Sequence, residues 1–404
     1  MESASPEAVG LSATRLQRLR HVMQQHIDRQ QVAGVHLTIA RRGYVAYQEG
    51  FGLMDVEAQK PMRPDTICRI YSMTKPVTSV AMMMLYEDGC FQLDEPVSHF
   101  IPAFKDVRVF AGGTANDYDT TALERDITIR HLMTHTGGLS YGRMDDTPVD
   151  ELYRQAELLY TTHLRLLNPD LTLAEMVARL VRLPLVHQPG TMWRYSLSTD
   201  VLARLVEIIS GRPFDRFLQE RIFGPLGMID TSHHLPPEKR SRYAALYGGL
   251  AGGGLELIDP AGGDLYTVPP CGLTLGGSGL VSTANDYLRF AQMLLNGGEL
   301  EGVRLLSRKT VALMTRHHVS EEVLRRSAPV PGNGLGLGFN VTTDVVAQGI
   351  IGSEGTFSAG GAAGTLCWVD PAEEMIGLLM VQIFTPQVNL HHDFRVLAYQ
   401  AIAD

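Results

Sequence analysis

Ser72-Met73-Thr74-Lys75 places a hydroxyl and an amine three residues apart at the head of a helix-patterned apolar run. Residues three apart on a helix share a face, and the unpaired N–H groups of a helix start favour developing negative charge. A serine hydroxyl attacks a carbonyl only when a neighbouring base removes its proton, and a lysine can do so where burial or nearby charge keeps its amine neutral. The chain has five lysines, Lys60, Lys75, Lys105, Lys239 and Lys309, and Lys75 alone has a serine three positions before it. Taken alone, the pair fits equally a serine helix cap followed by a solvated first-turn lysine, so the context has to decide.

Two further segments carry chemistry. Tyr195 lies within Gln188-Pro189-Gly190-Thr191-Met192-Trp193-Arg194-Tyr195-Ser196-Leu197, a loop just ahead of a helix pattern. By itself such a tyrosine is a core anchor with its hydroxyl tied to backbone; facing Lys75 across a cleft, it would relay a proton to a leaving group. Gly360-Gly361-Ala362, read as preceding a strand over residues 364–369, offers main chain without side-chain bulk. That suits a bulge or turn, and equally a place where a substrate carbonyl meets backbone donors.

The elements that must position these groups follow from periodicity. Leu16, Leu19, Met23 and Ile27 predict an amphipathic helix ending near Gln30, and residues 32–41 and 44–52, split by Arg42-Gly43, predict a hairpin. Residues 74–87 predict the helix that carries Lys75, closed by Gly89, with Pro76 tolerated in a first turn that needs no partner for that N–H. From residue 93 to about 270 the chain reads as helices and loops, with helices over 173–183, 201–209 and 213–218. The glycine-rich stretch 248–263 reads as a loop and not a phosphate cradle, because no strand feeds a GxGxxG helix there. A helix over 283–295, strands over 336–341, 364–369 and 376–383, and a last helix over 394–402 follow. The fold class expected is α+β: an antiparallel sheet flanked by helices and built from both chain ends, residues 1–92 and 271–404, with a mostly helical lobe, 93–270, inserted between them.

Composition bounds the function. With 404 residues, 45% of them hydrophobic, the chain can bury a large core in two lobes. A formal charge of −9 without a basic cluster argues against nucleic acid and anionic membrane surfaces as partners. The first six residues have neither a basic start nor an apolar core, so no secretory signal is expected, and the apolar run 375–384 is too short to span a bilayer. Cys68, Cys90, Cys271 and Cys367 lie far apart with no CxxC pair, which predicts reduced thiols in the cytoplasm and no zinc site.

Together these phrases resemble the serine β-lactamase and penicillin-binding-protein superfamily, in the branch of class C β-lactamases and the related family VIII carboxylesterases. The resemblance runs over nearly the whole chain: Ser72 to Lys75; His131-Leu132-Met133-Thr134-His135-Thr136-Gly137-Gly138-Leu139; Tyr195-Ser196-Leu197; Gly277-Ser278-Gly279-Leu280; and Gly360-Gly361-Ala362-Ala363-Gly364-Thr365 followed by Trp368-Val369-Asp370-Pro371. It implies a β-lactamase/transpeptidase-like fold, Ser72 as the acylated nucleophile, Lys75 as base or proton relay, and Tyr195 as the group passing a proton to the leaving group and then from water. It also implies an oxyanion hole from the backbone N–H groups of Ser72 and Ala362, beside Gly360 and Gly361. His131 and His135 would belong to a loop packed in the helical lobe and not to a triad.

Departures from the family pattern narrow the substrate. Leu197 stands where β-lactamases have the asparagine of Tyr-x-Asn, and Ala359 stands where they have the lysine of Lys-Thr-Gly and the esterases commonly a histidine or tryptophan. Without that cation, recognition of a penicillin or peptide carboxylate loses its usual partner. Gly138-Leu139-Ser140-Tyr141-Gly142 fits Gly-x-Ser-x-Gly, but that motif needs a strand before it and a helix after it, and no βα alternation surrounds Ser140. The expectation is a cytoplasmic serine esterase acting through an acyl-enzyme on small to medium acyl esters, with no metal or organic cofactor and with a small-molecule ester as partner; self-association is left open. The alternatives are an acyltransferase using the same acyl-enzyme, a weak β-lactamase, or a non-catalytic scaffold of the same fold.

Overall fold

Two runs with every residue buried, Gly34–Arg41 (β1) and Met375–Val381 in the C-terminal third, pair antiparallel from Val35 opposite Val381 to Arg41 opposite Met375. Strands covered on both faces need no polar alternation, which is why Met375–Val381 is apolar throughout and Gly34–Arg41 is mostly so, with His36, Thr38 and Arg41 buried among apolar residues. The computed structural model describes residues 1–158, 171–262, 273–327 and 330–404. Around that central pair lie Tyr44–Asp55 (β2), Lys60–Pro61 (β3), Asn333–Leu335 (β4), Asn340–Thr342 (β5), Phe357–Gly360 (β6) and Leu366–Asp370 (β7), with Met375–Val381 as β8. The sheet order is β4-β5-β6-β7-β8-β1-β2-β3, with antiparallel neighbours throughout. The sheet is therefore woven from both ends of the chain, as the α+β reading requires.

Ala13–Asp28 (α1) and Leu390–Tyr399 (the last helix) cover one face, where Leu16, Leu19, Met23 and Phe394 pack on Val35, Leu37, Ile39 and Leu379. The other face meets a larger core that includes Met82 and Val80 of Thr74–Glu87 (α2), Leu202 and Leu205 of Ser198–Ser210 (α3), and Phe290 and Leu294 of Ala284–Leu295 (α4). In α2 every residue from Thr74 to Leu85 is buried. A helix apolar all round belongs in the middle of a core, so the residues at its start are held on a rigid support.

Several elements depart from the sequence reading. Residues 336–341 form no single strand: Gly336 N–H bonds to the Phe339 carbonyl at 2.8 Å, and Gly338 turns the chain at φ 89°, so a hairpin joins β4 and β5. The glycine-rich stretch contains half of another hairpin, Leu246–Gly249 with Leu255–Asp259, and the helical middle holds a third, Val109–Thr114 with Asp117–Thr121. Glycine-rich sequence lowers strand propensity, but cross-strand pairing overrides it. Strand β6, unread in the sequence, ends at Gly360, so Gly361 and Ala362 lie in the turn that joins it to β7, the strand expected after them. Cys271 falls outside the described residues. Among the described residues no helix is long and apolar enough to cross a membrane.

Candidate active site

The approach to Ser72 is fixed from below by a buried ionic knot. Cys68–Arg69 pairs with Val281–Ser282, and the Arg69 guanidinium, fully buried, bonds to the Asp259 carboxylate and, at 2.7 Å, to the Ala244 carbonyl. The Gln382 side chain accepts from Arg69 N–H at 3.0 Å and donates to the Arg69 carbonyl at 3.0 Å, which ties this strand to the end of β8. Tyr71 then adopts φ 42°, the left-handed region that a bulky residue enters only when its surroundings hold it there. Its buried ring packs 5.6 Å from that of Phe384.

That turn sets Ser72 in a short 3-10 segment, Tyr71–Met73, ahead of α2. Met73 and not Ser72 occupies the cap position, and no side chain caps the helix there. The cap reading of Ser72 therefore fails, and its hydroxyl is turned to other partners. Lys75, one turn on and only 6% exposed, donates from Nζ to Ser72 Oγ at 3.1 Å and to the Gly277 carbonyl at 2.6 Å.

Tyr195 completes the group. Arg194 N–H bonds to the His135 carbonyl and Leu197 N–H to the Ser140 carbonyl, pinning the loop on both sides of the tyrosine. The Tyr195 ring lies among His135, Tyr141 and Trp193, with centroids at 5.0, 5.4 and 6.4 Å. Its hydroxyl is 2.6 Å from Ser72 Oγ, and Lys75 Nζ sits 4.6 Å from the ring centre. Three residues separated by up to 123 positions thus meet around one oxygen.

These groups open into a cavity of about 260 Å³, lined on one side by Met133, Thr134, His135, Trp193 and Tyr195 and on the other by Ser72, Lys75, Leu335, Gly336, Gly338, Phe339, Asn340 and residues 358–360. Its two walls come from the helical middle and from the sheet-bearing part of the chain. Of the backbone positions expected beside the oxyanion, Gly360 lines the cavity, whereas Gly361 packs under it: a Cβ at Gly361 would lie 2.5 Å from the Ile70 carbonyl. Ala362 is exposed in the turn. Leu197 is fully buried in the core, and Ala359 presents a methyl to the cavity.

The histidines resolve into two different structural parts. His131 accepts from Thr128 N–H at its own helix start, and burial with nearby Arg125 pushes it down to about 4. His135 lines the cavity, which the loop-packing expectation missed; its Nδ1 shares a hydrogen with Ser196 Oγ at 3.1 Å. Burial and then the charge of Lys75 push His135 down to about 3, so the ring is neutral at working pH and too weak a base to accept the serine proton. Ser140 is sealed from solvent, with its hydroxyl bonded to the Asp150 carboxylate, which also takes the Arg194 guanidinium at 2.7 Å. It is a structural serine.

One charged residue escaped sequence reading. Asp200, in the first turn of α3, is buried and accepts from Gly277 N–H at 2.9 Å, so Gly277 stands between this carboxylate and Lys75. An acid three residues after Leu197 and directly ahead of Val201-Leu202-Ala203 was the available signal. Among the described residues no cluster of three or more His, Cys, Asp or Glu is placed to hold a metal ion.

A nucleophile, an amine and a phenol around an open cavity can form and break an acyl bond to serine. The relatives of the chain are consistent with such a site. Esterase EstB of Burkholderia gladioli is 31% identical over 394 residues, 94% of this chain and 93% of that protein. The lovastatin esterase of Penicillium rubens is 28% identical over 376 residues, 85% of this chain and 87% of that one. The solved structure of EstCE1, a hydrolase with promiscuous acyltransferase activity, superposes with a TM-score of 0.79 at 27% identity, covering 96% of this chain and 99% of its own. The family model for Beta-lactamase matches residues 19–401, and the chain belongs to that family.

Proposed function

We propose that the protein is a serine carboxylesterase of the family VIII type, with Ser72 as nucleophile and Lys75 and Tyr195 as the proton-handling pair. The observation that carries this reading is the contact of Ser72 Oγ with Tyr195 at 2.6 Å and with Lys75 at 3.1 Å at the wall of an open cavity. Ser72 loses its proton into this pair as Oγ bonds to the ester carbonyl carbon; the proton passes to the departing alcohol as the C–O bond breaks. Water then enters, gives a proton back along the same route and releases the acid. Backbone donors at Ser72 and at the end of β6, with Ala362 the expected partner, would hold the carbonyl oxygen while it is charged, a contribution typically of about 3–4 kcal/mol for one donor.

The cavity favours neutral acyl groups of small to medium size. Its walls are Met133, Trp193, Leu335 and Phe339, and Lys75 is its only lysine or arginine among the described lining residues. With Ala359 and Leu197 in place of the cation and amide of β-lactamases, a penicillin carboxylate has no partner here, so any β-lactam hydrolysis is weak. Transfer of the acyl group to an alcohol is the second reading, favoured by the promiscuous acyltransferase activity of the similar hydrolase EstCE1. The presence of all three reacting residues speaks against a non-catalytic scaffold. We further read residues 1–92 with 271–404 as one lobe and 93–270 as the inserted one, supported by the two-sided lining of the cavity. The unpaired thiols of Cys68, Cys90 and Cys367 support a cytoplasmic location.

The test is incubation with a serine-reactive phosphonate followed by peptide mass spectrometry. Labelling at Ser72 is expected, and labelling at another serine with Ser72 unmodified would reject the assignment. Product analysis with an added alcohol separates hydrolysis from transfer.

A further inference from the structure

The strongest feature left unused is Asp200. A carboxylate in an apolar interior is costly unless polar groups compensate it. At Asp200 those groups are main chain: Gly277 N–H at 2.9 Å, with the Gly276 amide contributing. The nearest cation acting on it is Lys75. Gly277 faces both ways, giving its N–H to Asp200 and its carbonyl to Lys75 at 2.6 Å, while the Gly276 carbonyl accepts from Thr78 Oγ1 at 2.7 Å. The segment is threaded tightly between α2 and α3. A Cβ at Gly277 would lie 2.9 Å from Asp200 Oδ2, and one at Gly276 would lie 2.5 Å from the Thr199 carbonyl and 2.7 Å from Ala203 Cβ. Two glycines are therefore needed for the acid, the peptide and the amine to stack.

We propose that Asp200 is a positioning residue for Lys75: its carboxylate clamps the Gly276–Gly277 main chain so that the Gly277 carbonyl holds the amine against Ser72 Oγ. The inference rests on the reading of Ser72 and Lys75 as reacting groups. When the serine proton arrives on Lys75, the ammonium formed is bonded to the Gly277 carbonyl and faces the carboxylate behind it; when the proton leaves for the alcohol, the same clamp returns the amine to its starting place. The ionisable groups around the pair are Tyr195 from the loop before α3 and His135 from the turn after Ile129–Met133; the 276–279 segment carries none. Burial pushes Asp200 up to about 6, and the hydrogen bond from Gly277 N–H opposes that push.

Two substitutions separate the clamp from the charge. Asp200→Asn keeps an oxygen for Gly277 N–H but loses the charge; Asp200→Ala loses both. Measured on p-nitrophenyl butyrate with the full-length protein, Asp200→Ala should lower kcat about 100-fold with KM little changed, as expected when a reacting group is displaced by a fraction of an ångström to an ångström. Asp200→Asn, which still offers an oxygen to Gly277 N–H, should restore kcat to within about tenfold of wild type with KM little changed. A folded Asp200→Ala with wild-type kcat, or a folded Asp200→Asn no more active than Asp200→Ala, would overturn the proposal. If Asp200→Ala does not fold, Asp200→Asn still decides: kcat within about tenfold of wild type supports the clamp, and a larger loss in a folded protein overturns it. Ser72→Ala and Lys75→Ala are run beside them: activity surviving in either sinks the reading of the site itself, whereas inactive controls beside unaffected Asp200 variants sink the role of Asp200 alone.

Discussion

Replacing Tyr195 by phenylalanine removes a single oxygen, 2.6 Å from Ser72 Oγ, and little else. The ring keeps its packing against His135, Tyr141 and Trp193, so the loop and the cavity wall should stay in place. Lys75 remains 3.1 Å from Ser72 Oγ, and a route for the serine proton survives. What disappears is the phenol that, in the proposed mechanism, hands a proton to the leaving alcohol and takes one from water. A positioned acid–base group of this kind typically contributes about 10²–10⁴-fold. At about 1.4 kcal/mol per tenfold, that is roughly 3–5 kcal/mol of barrier. The expected result for Tyr195→Phe on p-nitrophenyl butyrate is a fall in kcat of that size, an almost unchanged KM, and a thermal melt and far-UV spectrum close to wild type. Because KM reports ground-state binding when chemistry is slow, a loss confined to kcat would place the hydroxyl in the transition state. A well-folded Tyr195→Phe with kcat within about threefold of wild type would refute the reasoning and leave Tyr195 as an aromatic anchor of the cavity wall.

Three further outcomes follow from the geometry. Gly361→Ala would drive a Cβ to 2.2 Å from Thr365 Oγ1 and 2.5 Å from the Ile70 carbonyl, two residues before the nucleophile; a loss of about tenfold or more in kcat is expected, and wild-type steady-state kinetics would show that the turn relaxes without moving Ser72. Arg69→Met strands Asp259 as a buried charge without its partner and should cost about 3–5 kcal/mol in urea denaturation, whereas a value near zero would mean that the knot contributes nothing to stability. His36, fully buried with neither ring nitrogen partnered among the described residues, is pushed down by burial from 6.5 to about 4. Between those values the unfolded chain holds a proton that the folded one refuses, so stability is full above about pH 6.5 and falls by up to about 3 kcal/mol as the pH drops to about 4. In His36→Leu the slope of unfolding free energy against pH should flatten by about one proton over this range, and an unchanged slope would locate the linkage elsewhere.

The sequence by itself determined the parts governed by local order. The helix over residues 74–87 appears with those bounds, and the runs that became β1 and β8 were readable because mostly apolar stretches of strand length bounded by turn residues have few other uses. Ser72 and Lys75 were legible because both lie within one helical turn. The strand Phe357–Gly360 was not, since Ser358, Ala359 and Gly360 carry little strand preference and the strand exists through pairing with residues 340–341 and 366–369. Only the tertiary structure decided which distant groups share a space. It brought Tyr195 to 2.6 Å from Ser72, placed His135 in the cavity wall, sealed Ser140 against Asp150, and put Asp200 behind the Gly277 peptide. The physical reason is that periodicity constrains which face of an element is buried, whereas the partner of a buried polar group is set by how whole elements pack, and that information is spread over residues as far apart as Ser72 and Tyr195, 123 positions from each other.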